Sequence, residues 1–153
     1  MFRMLLCAAL LAAAPAAFAD QQQLALTAGD FAAQRAAIEK NLADGKTYAE
    51  ISPADRSKVR ESLARISGRL NGADSVDTLS EPIKVALFND QEIVNTILTQ
   101  AADDSRLVCE RSRSTGSHRA TTKCHTVAER RRRMERDQED LRQRQNGIGP
   151  LKN

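Results

Sequence analysis

Two cysteines, Cys109 and Cys124, bracket the run CERSRSTGSHRATTKC near the middle of the C-terminal half. This pair constrains the fold more than any other feature. Short stretches on either side, RLVCER and RATTKCHTV, are rich in β-branched or alternating residues and predict strands. Gly116-Ser117 between them suits a two-residue hairpin turn of type II′, with glycine at the first position. Cys109 lies seven residues before Gly116 and Cys124 lies seven after Ser117, so this turn sets the cysteines opposite each other. Glu110 then faces Lys123, Val108 faces His125, and Leu107 faces Thr126. Leu107, Cys109 and Cys124 share one face of the ribbon, which is expected to pack on the rest of the molecule. Counting from the turn predicts a hydrogen-bonded pair at the cysteines, with Cα atoms ~5.5 Å apart, a separation a disulfide accepts.

The N-terminus indicates a compartment where such a bond forms. Arg3 precedes an apolar run from Met4 to Ala14, and Ala17-Phe18-Ala19 is an A-x-A cleavage site. Residues 1–19 are expected to be a secretory signal peptide, cleaved between Ala19 and Asp20. The run is too short for a bilayer span of ~20 residues, and no later segment is a transmembrane candidate. Cys7 lies inside the apolar run rather than after it, which disfavours a lipoprotein anchor. Cys109 and Cys124 are then the two cysteines of the mature chain, and pairing is the default in an oxidising compartment. The bridge closes a ring of 16 residues, a constraint of roughly 3 kcal/mol from loop entropy.

Residues 20–105 are expected to form a helical body. Tyr48, Phe31 and Phe88 are the only rings after the leader, and tryptophan is absent. A core of Leu, Ile, Val and Ala favours helix packing over a β-sandwich. Asp30 can cap a helix over 30–44, with Phe31, Ile38 and Leu42 on one face and Gly45 beyond its end. Ser52-Pro53-Ala54-Asp55 marks a second start, followed by Val59, Leu63, Ile66 and Leu70, with Asn71-Gly72 closing it. Ser80-Glu81-Pro82 opens a third helix to about residue 103. Its apolar face is read as Val85, Phe88, Ile93, Ile97 and Ala101, with a kink expected at Asn89-Asp90.

The C-terminal part is chemically different. Residues 20–105 carry nine basic and fourteen acidic side chains, whereas residues 106–153 carry thirteen and six. An acidic body thus bears a basic appendage, and neutralisation within one molecule or a dimer is the favoured reading. Thr126-Val127-Ala128-Glu129 is a capping box that opens a charged helix over 127–146, with a loose tail over 147–153. Glu129–Arg133, Arg131–Glu135, Arg133–Asp137 and Arg136–Asp140 are spaced four apart and are expected to pair along it. Val127, Met134 and Leu141 recur every seven residues without a second apolar stripe, which falls short of a coiled-coil seam. Arg130, Arg131, Arg132 and Arg133 form the candidate interaction surface. Their partner would be an acidic envelope protein or an anionic surface such as lipopolysaccharide or phospholipid headgroups. Nucleic acid is disfavoured, because no aromatic stacking residue lies nearby.

No motif for catalysis, a cofactor or a phosphate loop is present. His118 and His125 are the residues a hydrolase or metal enzyme would have to use. The arrangement C-x8-H-x5-C-H matches no usual zinc spacing, and Cys124 and His125 point to opposite faces of a strand. No catalytic or metal residue is therefore assigned. The residues Cys109, Arg111, Thr115-Gly116-Ser117, Cys124 and Thr126 resemble a motif of small secreted proteobacterial proteins: a cysteine, a basic pair, T-G-S, a short strand, a second cysteine and a threonine. The resemblance spans about twenty residues and implies an exported location but no activity. The combined expectation is a mainly α protein: a three-helix body, a disulfide-closed β-hairpin over 106–126, and a charged C-terminal helix. It is expected to act as a non-enzymatic periplasmic or secreted binding module.

Overall fold

The computed structural model describes residues 23–26, 30–71, 73, 75–113, 115–116 and 118–147. The signal-peptide reading, its cleavage between Ala19 and Asp20, and the tail beyond Gly147 lie outside these residues. Four α-helices, one 3-10 turn and one antiparallel hairpin follow in order: α1 (Phe31–Ala43), α2 (Pro53–Leu70), the 3-10 turn (Val76–Thr78), α3 (Glu81–Ser105), β1 (Leu107–Arg113), β2 (Ala120–Thr126) and α4 (Val127–Gly147).

The first two helices begin where their capping residues predict. The Asp30 carboxylate accepts from the Ala32 amide at 2.8 Å. The Ser52 hydroxyl accepts from the Asp55 amide at 3.0 Å and donates to the Asp55 carboxylate at 2.8 Å. These bonds satisfy amides that a helix start leaves without partners. Gly45, beyond α1, has φ 65°, a conformation that side chains with a Cβ resist. Val59, Leu63 and Ile66 of α2 are fully buried, as their spacing predicts, and meet Ile38 and Leu42 of α1 in one core.

The third helix differs from its sequence reading. Its buried line is Leu87, Asp90, Val94, Leu98 and Ala101, not Val85, Phe88 and Ile93. Val85 is 58% exposed and Phe88 43%. Apolar residues lie on more than one side of α3, so periodicity alone does not select the core side. The expected kink at Asn89-Asp90 is also absent, and the α-helix is continuous from Glu81 to Ser105. Asp90 does not compete for backbone. Its carboxylate is buried and takes two hydrogen bonds from Arg65, from Nε at 3.0 Å and from an outer nitrogen at 2.6 Å. Arg69 adds another. Arg65 also donates to the buried Ser62 hydroxyl at 2.9 Å. Burial works to raise the Asp90 pKa, but the Arg65 and Arg69 bonds outweigh it and hold the carboxyl below its ordinary value.

The body is more than three helices. Residues 23–26 lie against it and contribute Leu24 and Leu26 to the core, together with Tyr48, Ile51 and Val76. Side-chain amides take the place of a neighbouring strand for this segment. Asn95 of α3 accepts from the Leu24 amide at 2.8 Å and donates to its carbonyl at 3.0 Å. Gln34 of α1 does the same for Ala25, at 2.9 and 3.0 Å. Gln91 of α3 accepts from the Leu26 amide at 3.4 Å. Buried backbone groups need such partners, and here three amide side chains supply them.

The hairpin has the predicted register: Leu107↔Thr126, Val108↔His125, Cys109↔Cys124 and Glu110↔Lys123. Cys109 and Cys124 form a disulfide. Gly116 has φ 85°, as expected of a turn glycine. Two details are corrected. The cysteine Cα atoms are 4.0 Å apart, nearer the ~4.5 Å of a non-hydrogen-bonded pair than the ~5.5 Å of a bonded one. Among the described residues the last pair is Arg113 with Ala120, and Thr115, Gly116, His118 and Arg119 lie outside the strands, so a two-residue turn does not dictate that alternation. Ser117 of the expected turn lies outside the described residues. Moreover, the face bearing Leu107, Cys109 and Cys124 is exposed rather than packed on helices. Val108 and His125, on the opposite face, are the part-buried pair.

Candidate interaction surface

The C-terminal helix leaves the hairpin without a linker: Thr126 ends β2 and Val127 begins α4. The Val127 amide donates to the Arg106 carbonyl at 3.0 Å, which fixes the direction of departure. Thr126 is the hinge of this geometry. Its hydroxyl accepts from the Glu129 amide at 3.0 Å and donates to the Glu50 carboxylate at 2.5 Å. Half of the expected capping box is thus realised. The Glu129 carboxylate takes the His125 Nδ1 at 3.0 Å and an Arg133 nitrogen at 2.7 Å.

The four consecutive arginines each meet a different acid. Arg130 reaches Glu110 of β1 at 2.7 Å. Arg131 closes on Asp104 of α3 and Arg132 on Glu50, at 2.9 and 2.8 Å. Arg133 pairs with Glu129 and also contacts His125 Nε2 at 3.0 Å. Successive helix residues point ~100° apart, so one block of arginines addresses acids on three sides. Hydrogen bonds from Arg132, then Thr126, lower the Glu50 pKa. The bond from Arg131 does the same at Asp104. The pKa values of Arg131 and Arg132 rise correspondingly, by hydrogen bonding to Asp104 and Glu50. Neutralisation of basic appendage by acidic body therefore happens inside one molecule. Each arginine of the block nonetheless keeps between 43 and 53% of its side chain exposed.

His125 and His118 are not brought together. His118 belongs to the connection between the strands and is exposed, whereas His125 lies at the other end of β2, about 20 Å away along an extended strand. A guanidinium has only donors, so His125 Nε2 accepts from Arg133 and Nδ1 carries the hydrogen given to Glu129. His125 is thus oriented by an acid. The hydroxyl nearest in sequence, Thr126, is committed to Glu50. Among the described residues, no group of three or more His, Cys, Asp or Glu side chains is placed to hold a metal ion.

Beyond its base, α4 stands apart. Ala128 is its one buried residue among those described, and every residue from Arg131 to Asn146 is exposed. Met134 and Leu141 are 60 and 59% exposed. Where α4 meets the hairpin, an open groove of ≈ 540 Å³ has an apolar floor of Val108, Val127 and Met134 and a basic rim of Arg106, Arg130 and Arg131. Three of the four expected intrahelical pairs are not made: Arg131 and Arg133 turn to Asp104, Glu129 and His125, and Arg136 donates to the Arg132 carbonyl at 3.2 Å. The acids at the base, Glu50, Asp104 and Glu110, were not legible as partners. Only the charge imbalance between the two parts signalled that such partners exist.

No protein-family model, curated protein or solved structure matches this chain. No helix among the described residues is long and apolar enough to cross a membrane.

Proposed function

We propose that this protein is an exported, non-enzymatic binding module that works in the periplasm or outside the cell and presents α4 and the hairpin to a partner. The observation that supports the reading is the exposure of α4 on all sides beyond a base fixed by ion pairs. An isolated helix of this length is marginal in water, and one polar all round either spans solvent between partners or relies on internal pairs. Here three of the four expected internal pairs are not made. A disulfide-closed hairpin suits an oxidising compartment, in keeping with the leader-like N-terminus. Arg130 to Arg133 serve this module as the anchor of the helix and, through their exposed edges, as part of its contact surface.

The experiment is capture from a cell-envelope extract on the immobilised mature protein. Retention of a component by the native chain, and its loss when Leu141→Arg and Arg136→Glu are introduced together, is the expected result. Capture that is indifferent to these changes, and to Arg130–Arg133→Gln, overturns the assignment of the surface. A reproducible catalytic turnover lost in His125→Ala overturns the non-enzymatic reading.

A further inference from the structure

Val127, Met134 and Leu141 alone fall short of an apolar coiled-coil seam, but the charges beside them match a parallel two-stranded pairing, and we infer that the occupant of the exposed side of α4 is α4 of a second copy of this chain. Val127, Met134 and Leu141 take the d positions of a heptad, which places Arg131, Gln138 and Gln145 at a, Glu135 and Arg142 at e, and Arg130 and Asp137 at g. In a parallel pair, each g residue faces the e residue five places on in the other helix. Arg130 then faces Glu135 of the second copy, and Asp137 faces Arg142. Both contacts join opposite charges, and symmetry repeats each one.

Two further observations agree. The six α4 residues that line the groove are Val127, Arg130, Arg131, Met134, Glu135 and Gln138, and all stand at a, d, e or g. The groove is therefore the proximal end of the same seam, and Val108 of the hairpin extends its apolar floor. In addition, Glu135 and Asp137 make no ion pair within the described residues, because their expected partners Arg131 and Arg133 bind Asp104 and Glu129. With Arg131 on the body and Arg133 on Glu129, Glu135 and Asp137 are available to a second molecule, whose Arg130 and Arg142 would exchange Glu110 and Glu139 for them. Glutamine at two a positions can pair across the axis and favours one register. The seam is short, so the association is expected to be weak, with a dissociation constant in the micromolar range.

This inference rests on the binding-module reading and can fail without it. The test is sedimentation equilibrium of the oxidised mature chain at concentrations up to about 1 mM. The native chain is expected to dimerise. Asp137→Arg alone and Arg142→Asp alone each create two like-charge contacts per dimer and raise the dissociation constant at least roughly tenfold. An equimolar mixture of the two variants restores association, because every g–e contact is again opposite in sign. Neither residue touches the body, so circular dichroism and the urea midpoint of each variant are expected to match the native chain. A native chain that stays monomeric throughout overturns the inference, as does dimerisation unaffected by either variant, or a mixture no stronger than its components. A monomer that still captures an envelope component through α4 assigns the seam to that partner and leaves the binding-module reading standing.

Discussion

Arg131 of the C-terminal helix grips Asp104 near the end of α3 with two parallel hydrogen bonds, 2.9 Å to one carboxylate oxygen and 3.1 Å to the other. Arg132 does nearly the same to Glu50, at 2.8 and 3.4 Å. The two contacts bridge 27 and 82 residues of chain and hold the base of α4 against the body. Paired guanidinium–carboxylate contacts fix orientation as well as distance. Almost no apolar burial supports them, since Ala128 is the only buried side chain α4 contributes among the described residues.

The attachment of α4 is therefore expected to depend on salt. Half-exposed ion pairs are each worth only ~0.2–1 kcal/mol and are screened by electrolyte. Arg131→Gln with Arg132→Gln, or the addition of about 0.5 M salt, should speed amide exchange in the first turns of α4. The α2 and α3 amides and the thermal midpoint should change little. Equal loss of protection throughout the chain would mean that the helix is integral to the body.

Asp90 should behave in the opposite way. It is buried, and it is the shared acceptor for Arg65 and Arg69. Asp90→Asn keeps the shape but removes the charge that both guanidinium groups face. Loss of one partner from a fully buried pair costs ~3–5 kcal/mol. Because Arg65 and Arg69 stay partly in water, about 1–3 kcal/mol is expected here. Urea unfolding measures it, and a change under 0.5 kcal/mol would place this cluster among the inconsequential surface pairs.

Acid should act through the same carboxylates, with protonation of Asp90 lowering the stability of the body and protonation of Glu50 and Asp104 loosening α4. Glu50, Asp90 and Asp104 all have pKa values held below their ordinary 4.5 and 3.8. The unfolded chain therefore takes up protons first as pH falls. The stability these groups contribute is complete above the ordinary carboxylate range and is lost progressively below about pH 4, as pH drops through their lowered values. A urea midpoint flat from pH 7 to 5 and falling below about pH 4 is expected. Asp90→Asn should flatten that fall.

Reduction of Cys109–Cys124 should act locally. The bridge constrains the unfolded chain by roughly 3 kcal/mol at most, but it lies on an exposed face of the hairpin rather than in the core. Amide protection in β1 and β2 should fall and α4 should loosen with them, while the helical signal of α1 to α3 persists. Free thiol at both positions in native material from the cell envelope would remove the basis of the exported reading.

Local chemistry was readable along the chain. Asp30 and Ser52 cap α1 and α2 because capping needs only residues three or fewer places apart. The register that joins Cys109 to Cys124 follows from symmetry about the midpoint between Gly116 and Ser117. What tertiary structure decided was every choice between chemically equal alternatives. Val85 and Leu87 are both suited to a core, and only the position of α2 turns Leu87 inward. Arg131 has Glu135 four residues away and Asp104 across space. The acid held in place by α3 wins because its carboxylate is already ordered and mostly shielded from water, so the bond is stronger and costs less entropy than one between two mobile side chains. Such preferences depend on distances that the order of residues does not contain.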